Sequence, residues 1–166
     1  MVISYEKLIE NENEISEEEM QDAFKTAGYV IHAICNYNPD NTDTFYSMLS
    51  KLMGEAQEIS NLMKQSISDR MRQNEKWSFI GKSYFVGAVP DNDYTPSIPL
   101  SIEVKDNPYS YQEEGYARLL VHSGGADSDR FITLRKMKTG KWVLWSDTII
   151  GLLSDIRKPE SQNPWA

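Results

Sequence analysis

The first third of the chain has apolar residues at steps of three and four, the spacing that places them on one face of an α-helix. Ser16 and Glu19 form a capping-box pattern, in which their side chains satisfy free N–H groups at a helix start. Ile15 and Met20 flank this pattern at the positions of a hydrophobic staple. We therefore predict a first helix that begins at Ser16 and runs to about Asn36, with a single apolar stripe.

Two further helices are predicted from the same spacing. The second is capped by Thr42 or Asp43 and ends before Gly54, which can adopt the left-handed backbone that often closes a helix. The third covers residues 59–74, and we interpret the methionines of its apolar stripe as core side chains. Residues 1–14, ahead of the first helix, are expected to be flexible or extended.

After Trp77 the apolar spacing changes to alternation, which is the pattern of a strand with one buried face. Pro99 has no N–H to donate, so the strand that contains it should start at a sheet edge or lose its first pair. Ser146 or Asp147 can cap a short final helix that Pro159 ends. The predicted strands are 83–89, 98–104, 116–122, 130–137 and 142–145.

Helices that precede strands, rather than alternate with them, are typical of an α+β fold. We predict a single domain over residues 1–166, with three N-terminal helices packed on a four- to five-stranded antiparallel sheet and a short C-terminal helix. Helices on one side would leave the other face of the sheet in solvent or lining a concave pocket. Trp165 should pack back onto the domain, since an exposed tryptophan is costly.

The net charge of −8 lies almost entirely at the start of the chain, because residues 1–40 hold nine acidic side chains against Lys7 and Lys25. The helix dipole favours glutamates at a helix start, so much of this charge needs no partner. A docking surface for a basic partner is the alternative. An acidic surface opposes nucleic acid and anionic membranes, and we expect neither as a partner.

The ends of the chain and its apolar runs bear on location. No apolar run approaches the roughly 18 residues that a membrane span needs, and the first residues lack the apolar core of a signal peptide. We therefore expect a cytoplasmic protein by default, although a leader upstream could have been removed. The sequence leaves the oligomeric state open.

Common catalytic motifs are absent from the sequence. It has neither the P-loop pattern nor the GxGxxG fingerprint, and no G-x-S-x-G elbow for a nucleophilic serine. With two histidines, no HExxH pattern and no paired cysteines, we expect no metal site and no cofactor. We interpret His32 as a residue at the surface or boundary of the first helix, and Cys35 as a small buried apolar residue. These absences favour a protein that is not an enzyme.

One polar cluster remains as a candidate site. Alternation places Tyr116, Arg118 and His122 on one face of a predicted strand, and Arg135 lies in the next strand. If the polar sides of the two strands coincide, the arginines and the histidine converge around Tyr116. Arginine offers paired donors to a carboxylate or a phosphate, so the patch could bind an anionic ligand. The alternative is an ordinary solvated face in which residues such as Glu103 pair with these charges across strands.

The loop 123–130 joins these two strands and combines glycines with short polar side chains. Gly124 and Gly125 would allow successive N–H groups to form an anion nest, whereas Asp127 and its neighbours could offer oxygens to a hard cation. A third interpretation is a tight loop whose side chains cap its own backbone. The candidate binding residues are therefore Arg118, His122, Asp127, Arg130 and Arg135.

Three strings stand out in the C-terminal half. They are the Gly-Gly-Ala-Asp-Ser loop at residues 124–128, the Ile-Thr-Leu-Arg strand at 132–135 and the Gly-Lys-Trp hairpin at 140–142. These strings resemble a bacterial domain family that has no assigned function. The resemblance covers most of residues 80–166 and implies no activity, but it implies that the glycine-aspartate loop and the arginines after it are a hallmark of the family. More loosely, the order of elements resembles cone-shaped and cystatin-like α+β folds, which serve ligand binders, enzymes and assembly modules alike.

These patterns favour a non-enzymatic binding or assembly domain that holds a protein partner or a small anionic ligand through its sheet face and the 123–130 loop. The alternative is a small enzyme with a pocket between helices and sheet, in which His122 is the general base and Arg118 or Arg135 steadies an anion. That alternative requires an enclosed pocket at His122. A toxin-neutralising or secretion-linked accessory protein also fits the acidity and the small size, but no residue singles it out.

Overall fold

The computed structural model describes residues 1–165 and confirms the α+β fold, with helices packed on an antiparallel sheet. The α-helices are α1 (Ala23–Cys35), α2 (Asp43–Met53), α3 (Asn61–Arg72) and α4 (Ile149–Leu152). The strands are β1 (Val2–Tyr5), β2 (Leu100–Lys105), β3 (Tyr116–Val121), β4 (Arg130–Lys136) and β5 (Trp142–Leu144). No helix in this described part of the chain has the length and apolar character needed to cross a membrane.

The five strands form one antiparallel sheet in the order in which they follow along the chain. The sheet curls into a half-barrel, and α1 lies on its concave side, where it contacts β2, β3, β4 and β5. Helix α2 packs on α1 and also reaches β5. One face of the sheet is therefore covered by α1, and the opposite face points away from α1.

Helix α1 is buried around its whole circumference. Every residue from Thr26 to Ile34 is buried, which is the pattern of a helix inside a core rather than the single stripe that the spacing indicated. The sheet covers one side, and α2 and the 3-10 turn at Gly81–Tyr84 cover others. Gly28 lets the Tyr5 side chain of β1 lie directly against α1, because a Cβ at this position would meet the hydroxyl of Tyr5.

Helix α1 begins at Ala23 rather than at the predicted Ser16. Asp22 caps it, since its side chain accepts N–H groups of the first turn. Ser16 does accept the N–H of Glu19, at 3.2 Å, but it opens only a short 3-10 turn. The Glu19 carboxylate, which a capping box would direct back to the serine, instead accepts a hydrogen bond from the Tyr29 hydroxyl at 2.5 Å.

Helices α2 and α3 follow the predicted bounds closely, but neither the Thr42 nor the Asp43 side chain caps α2. Gly54 ends α2 with a left-handed φ of 77°, and the Ser60 side chain caps α3. Leu62 is the exception, because the apolar stripe placed it in the core and it is exposed. Only Ile67 and Met71 of α3 are buried, so this helix contacts the core mainly through its C-terminal half.

The predicted strand over residues 83–89 is wrong, and β1 supplies the fifth strand instead. Residues Gly81–Tyr84 form a 3-10 turn, and Phe85 makes only an isolated bridge to Ile102. Strand β1, in the segment that was expected to be flexible or extended, pairs along β2 with Ile3 opposite Ile102. Both pairings join distant parts of the chain, so local alternation could not distinguish between them.

Pro99 acts by removing a pair rather than by marking an edge. Strand β2 begins directly after it, at Leu100, and lies between β1 and β3 in the sheet. Of the two outcomes that the proline allowed, the strand therefore loses its first pair.

The C-terminal helix is shorter than predicted, and the residues near Trp165 are more exposed. Helix α4 ends at Leu152, well before Pro159, and neither Ser146 nor Asp147 caps it. Asp155 has a left-handed φ of 57°, which does not continue a helix. Trp165 is 79% exposed, so the prediction that it packs back on the domain is wrong.

His32 is fully buried in α1, not at the surface or boundary of the helix as the sequence indicated. Its Nδ1 accepts the N–H of Ile9 at 3.0 Å, which ties the segment after β1 to the helix. The rings of Tyr5 and Phe85 contact it edge-on, with centroids 4.2 and 5.4 Å away. Burial lowers the pKa of His32 to about 4, although the charge of Glu14 acts in the opposite direction.

We predict that the free energy of unfolding falls as the pH drops from about 6.5 to about 4, because the unfolded chain binds a proton on His32 in this range and the folded protein does not. The shift corresponds to about 3 kcal/mol of stability. This stability is fully present above about pH 6.5 and is lost as the pH falls to about 4. Urea unfolding at a series of pH values should show this slope. In His32→Asn, whose amide oxygen can accept the same N–H without titrating, the slope should largely disappear. Equal slopes in both proteins would contradict the assignment.

Candidate functional site

The outer face of β3 and β4 points away from α1, as the alternation predicted. Leu119 and Ile132 point to the core and are buried, whereas Arg118 and Arg135 are exposed. The strand register places Arg135 directly opposite Tyr116. We call this outer surface the arginine face. Its residues are Tyr116, Arg118, Phe131, Thr133, Arg135 and Trp145.

Aromatic rings hold both arginines of this face in place. The guanidinium carbon of Arg118 lies 3.6 Å from the centre of the Phe131 ring. The guanidinium carbon of Arg135 lies 4.4 Å from the Trp145 ring and 5.2 Å from the Tyr116 ring. The latter two rings pack edge-to-face at 5.8 Å, so they form one aromatic platform. Each arginine is therefore supported by cation–π contact before any ligand arrives.

Neither arginine of the face is neutralised by a neighbour. Across the part of the chain that the structure describes, no carboxylate lies within 4.0 Å of the guanidinium of Arg118 or Arg135. Glu103, the cross-strand partner that the sequence offered, lies beside Lys105 at 3.9 Å instead. Cross-strand pairing with Glu103 therefore does not account for these arginines.

A groove of about 510 Å³ adjoins the arginine face between β4 and α4. Arg118 and Phe131 line it on the sheet side, and Thr148 lines it on the other side. Asp129 and Asp147 also contribute to its walls, so the groove carries both signs of charge. It is an open extension of the face rather than a closed cavity for one small anion.

Arg130 does not belong to the arginine face. It lies opposite Val121 in the register, on the core side of β4. Its guanidinium donates to the carbonyl oxygens of Ser154 and Asp155, each at 3.2 Å, and to that of Ser128 at 3.4 Å. These contacts tie the chain after α4 to the end of the sheet. Arg130 thus holds the chain after α4, and it also lines the groove beside the arginine face, next to one of the other arginines with which the sequence grouped it.

His122 lies in the open at the end of β3 and does not converge on Tyr116. Its side chain is 54% exposed, and its Nδ1 is 3.2 Å from a carboxylate oxygen of Asp129. The other oxygen of that carboxylate is 2.9 Å from Lys105. Partial burial alone would raise the pKa of Asp129, but the hydrogen bonds from Lys105 and His122 outweigh it and lower that pKa. The enzyme alternative required an enclosed pocket at His122, and this placement does not provide one.

The glycines of the 123–130 loop use their N–H groups within the protein. Gly124 donates to the carbonyl oxygen of Ser83 at 2.9 Å, and Gly125 donates to the Ser123 hydroxyl at 3.2 Å. The Ser123 hydroxyl in turn donates to the Ser83 hydroxyl at 2.8 Å, and both serines are buried. The interpretation as an anion nest does not fit, because these donors are already occupied, whereas the interpretation as a tight loop whose side chains cap its own backbone describes the Ser123 contact. The first half of the loop fixes β3 to the 3-10 turn before Phe85.

Asp127 lies in the exposed second half of the loop. Its carboxylate pairs with Arg157 at 2.5 Å, and both side chains are largely in solvent. Exposed pairs of this kind contribute little to stability. Among the residues that the structure describes, no group of three or more His, Cys, Asp or Glu side chains is placed to hold a metal ion.

Two aromatic residues of the face were not among the predicted site residues. Phe131 carried a usable signal, since it alternates with the buried Ile132 and must face outwards with Arg135. Trp145 carried none, because its contact with Arg135 depends on how the end of β5 aligns with β4. The sequence identified the charged residues of the face but missed two of the aromatic residues that contact them.

The model of one protein family, described as a domain of unknown function (DUF6935), matches residues 5–160. The comparison with curated proteins gives no match, and neither does the comparison with solved structures. The match confirms the resemblance to an uncharacterised family and extends it from the C-terminal half to the helices. It adds no activity, because the family has no assigned function.

We predict that Gly124→Ala lowers the free energy of unfolding by about 2 kcal/mol, because a Cβ there would meet the backbone carbonyl of Ala88, which cannot move freely. Gly151→Ala is the matched control. A Cβ at Gly151 meets nothing within 4 Å, and alanine is the better helix former. Chemical unfolding of the two variants measures the difference. Equal stability of both would show that the loop is not tightly packed.

We predict that Arg130→Ala destabilises the protein by about 1 kcal/mol, since three carbonyl oxygens lose a charged donor and one of them, that of Ser154, is partly buried. Arg118→Ala, which removes only a surface stacking contact, should change the melting temperature little. Thermal unfolding followed by circular dichroism compares them. A reversed order of the two effects would mean that the assignment of structural and binding arginines is wrong.

Proposed function

The chain belongs to the DUF6935 family of domains of unknown function, and we propose that it is a non-enzymatic binding or assembly domain that recognises an acidic segment of a protein partner through the arginine face. One observation carries this proposal. Arg118 and Arg135 are exposed and supported by aromatic rings, yet no carboxylate of the described residues pairs with them.

The support from the rings favours binding because it lowers the entropy that each arginine loses when a ligand docks. A free arginine side chain samples many rotamers, and fixing them opposes association. Stacking of Arg118 on Phe131 restricts this freedom beforehand and leaves the N–H donors available at the edge of the guanidinium. A carboxylate can then accept two parallel hydrogen bonds from one arginine.

An acidic protein segment fits this surface better than a small free anion does. The face is open, and the adjoining groove mixes the carboxylates of Asp129 and Asp147 with the guanidinium groups of Arg118 and Arg130, so it offers a small anion no site of uniform positive charge. A peptide segment can place its carboxylates over Arg118 and Arg135 and its apolar side chains on Phe131. Arginine and aromatic residues together are also the side chains most enriched at the energetic centres of protein interfaces.

We predict that a hexaglutamate peptide shifts the side-chain Nε–Hε signals of Arg118 and Arg135 and the amide signal of Thr133 in a ¹⁵N nuclear magnetic resonance titration. The double variant Arg118→Ala/Arg135→Ala should lose the response in the remaining signals of the face, because the donors for the carboxylates are gone. The double variant Lys138→Ala/Lys158→Ala removes the same charge at exposed positions elsewhere and should retain the response.

Three results would oppose the proposal. The first is a titration that leaves the arginine face unchanged while other signals shift. The second is an equal loss of response in the two double variants, which would show that net charge rather than the face attracts the peptide. The third is a stronger response to inorganic phosphate than to hexaglutamate, which would favour a small anionic ligand over a protein segment.

A further inference from the structure

The two edges of the sheet differ in whether their outward backbone groups already have hydrogen-bond partners. At the β5 edge, the side-chain amide of Gln57 takes the place of a neighbouring strand. Its Nε2 donates to the carbonyl oxygen of Leu144 at 2.8 Å, and its Oε1 accepts the N–H of Ser146 at 2.8 Å. A side chain that satisfies backbone groups in this way prevents another strand from pairing there.

The β1 edge has no such cover. The backbone of Met1 exchanges hydrogen bonds with Val104 at 2.8 and 2.9 Å, and in an antiparallel pair the bonded positions alternate. Ile3 and Tyr5 therefore bond to β2, while the N–H and C=O groups of Val2 and Ser4 point away from the sheet. These outward groups have no hydrogen-bond partner among the described residues.

Apart from its shortness, the strand lacks the features that normally protect an edge. Residues 1–5 contain no charged side chain and no proline, and Val2 is 60% exposed. A groove of about 450 Å³ runs beside the strand, bounded by Ser4 on the sheet side and by Lys25 and Tyr29 of α1 on the other. An additional strand would thus find both free backbone groups and space next to them.

We propose that β1 pairs antiparallel with β1 of a second copy of this chain, so that two half-barrels join into one continuous sheet. The outward N–H and C=O groups of β1 fix the register of this pairing. Val2 lies opposite Ser4 of the partner subunit, and Ile3 lies on the two-fold axis. Each Val2 and each Ser4 then donates and accepts one hydrogen bond across the axis, and no free group of the strand is left without a partner.

A second copy fits this edge better than an unrelated strand because the edge is complementary to itself. Its outward groups are spaced two residues apart, which is what a symmetric antiparallel pair requires. The charged Glu6 and Lys7 lie beyond the paired residues, so no like charges meet across the axis. The pairing also covers the exposed side chains of Met1 and Val2. The short seam predicts a weak dimer that forms at high protein concentration.

Sedimentation velocity of the whole chain at concentrations up to about 1 mM tests this pairing. The wild-type chain should dimerise in a concentration-dependent way. Ser4→Pro removes an N–H that the β1–β2 ladder does not use, and it should raise the Kd of the dimer about tenfold or more. Val2→Lys, which adds a charge to each copy at the seam, should do the same. Ser4→Thr keeps the N–H and should dimerise like the wild type.

Circular dichroism melting at low concentration shows that each variant is folded. A wild-type chain that stays monomeric over the whole range overturns the proposal. A dimer that persists unchanged in both Ser4→Pro and Val2→Lys also overturns it, because the contact then lies on another surface. The arginine face takes no part in this pairing, so failure here leaves the proposed binding function intact, and the reverse also holds.

Discussion

The burial of α1 within the curled sheet is the constraint on which the rest of the structure depends. A helix that is apolar around its circumference must be covered on every side, and a single flat sheet cannot do this. The sheet therefore curls, α2 closes another side, and β1 crosses near the helix so that Tyr5 lies directly over Gly28. The buried His32 on the same helix anchors the segment after β1 through Ile9.

This packing decides which surfaces remain for function. The concave face of the sheet is filled by α1, so a ligand can reach the sheet only at its outer face and its edges. On the outer face Arg118 and Arg135 are exposed among aromatic side chains. At the edges, Gln57 covers β5, and the backbone of β1 stays open. Binding through the outer face and pairing through β1 can therefore operate at the same time.

The parts of the fold that the sequence predicted are those with local causes. Gly54 marks the end of α2 by its own backbone conformation, and the alternation around Arg118 follows from strand geometry alone. The errors involve partners far away in the chain. Residues 83–89 alternate like a strand but make a single bridge to β2, whereas β1, in the segment expected to be flexible or extended, pairs with β2 along its length.

The candidate site shows the same division. The outward direction of Arg135 could be predicted from alternation, whereas its support by Trp145 required the register of β5. Arg130 alternates onto the opposite side of β4 from Arg135. Its hydrogen bonds to carbonyl oxygens of the chain after α4 could not be predicted from alternation. Gly124 and Gly125 gave a signal of tight geometry, but the sequence could not say whether a ligand or the protein itself occupies their N–H groups.

Native-state hydrogen exchange tests most directly whether the sheet is built around α1. The account predicts that the amides of Ala27 to Ile34 exchange only through global unfolding, with the same free energy as the most protected amides of β3 and β4. Exchange of the α1 amides through local opening, well before the strands, would contradict the central position of this helix. The covered concave face and the free outer face would then lose their physical basis.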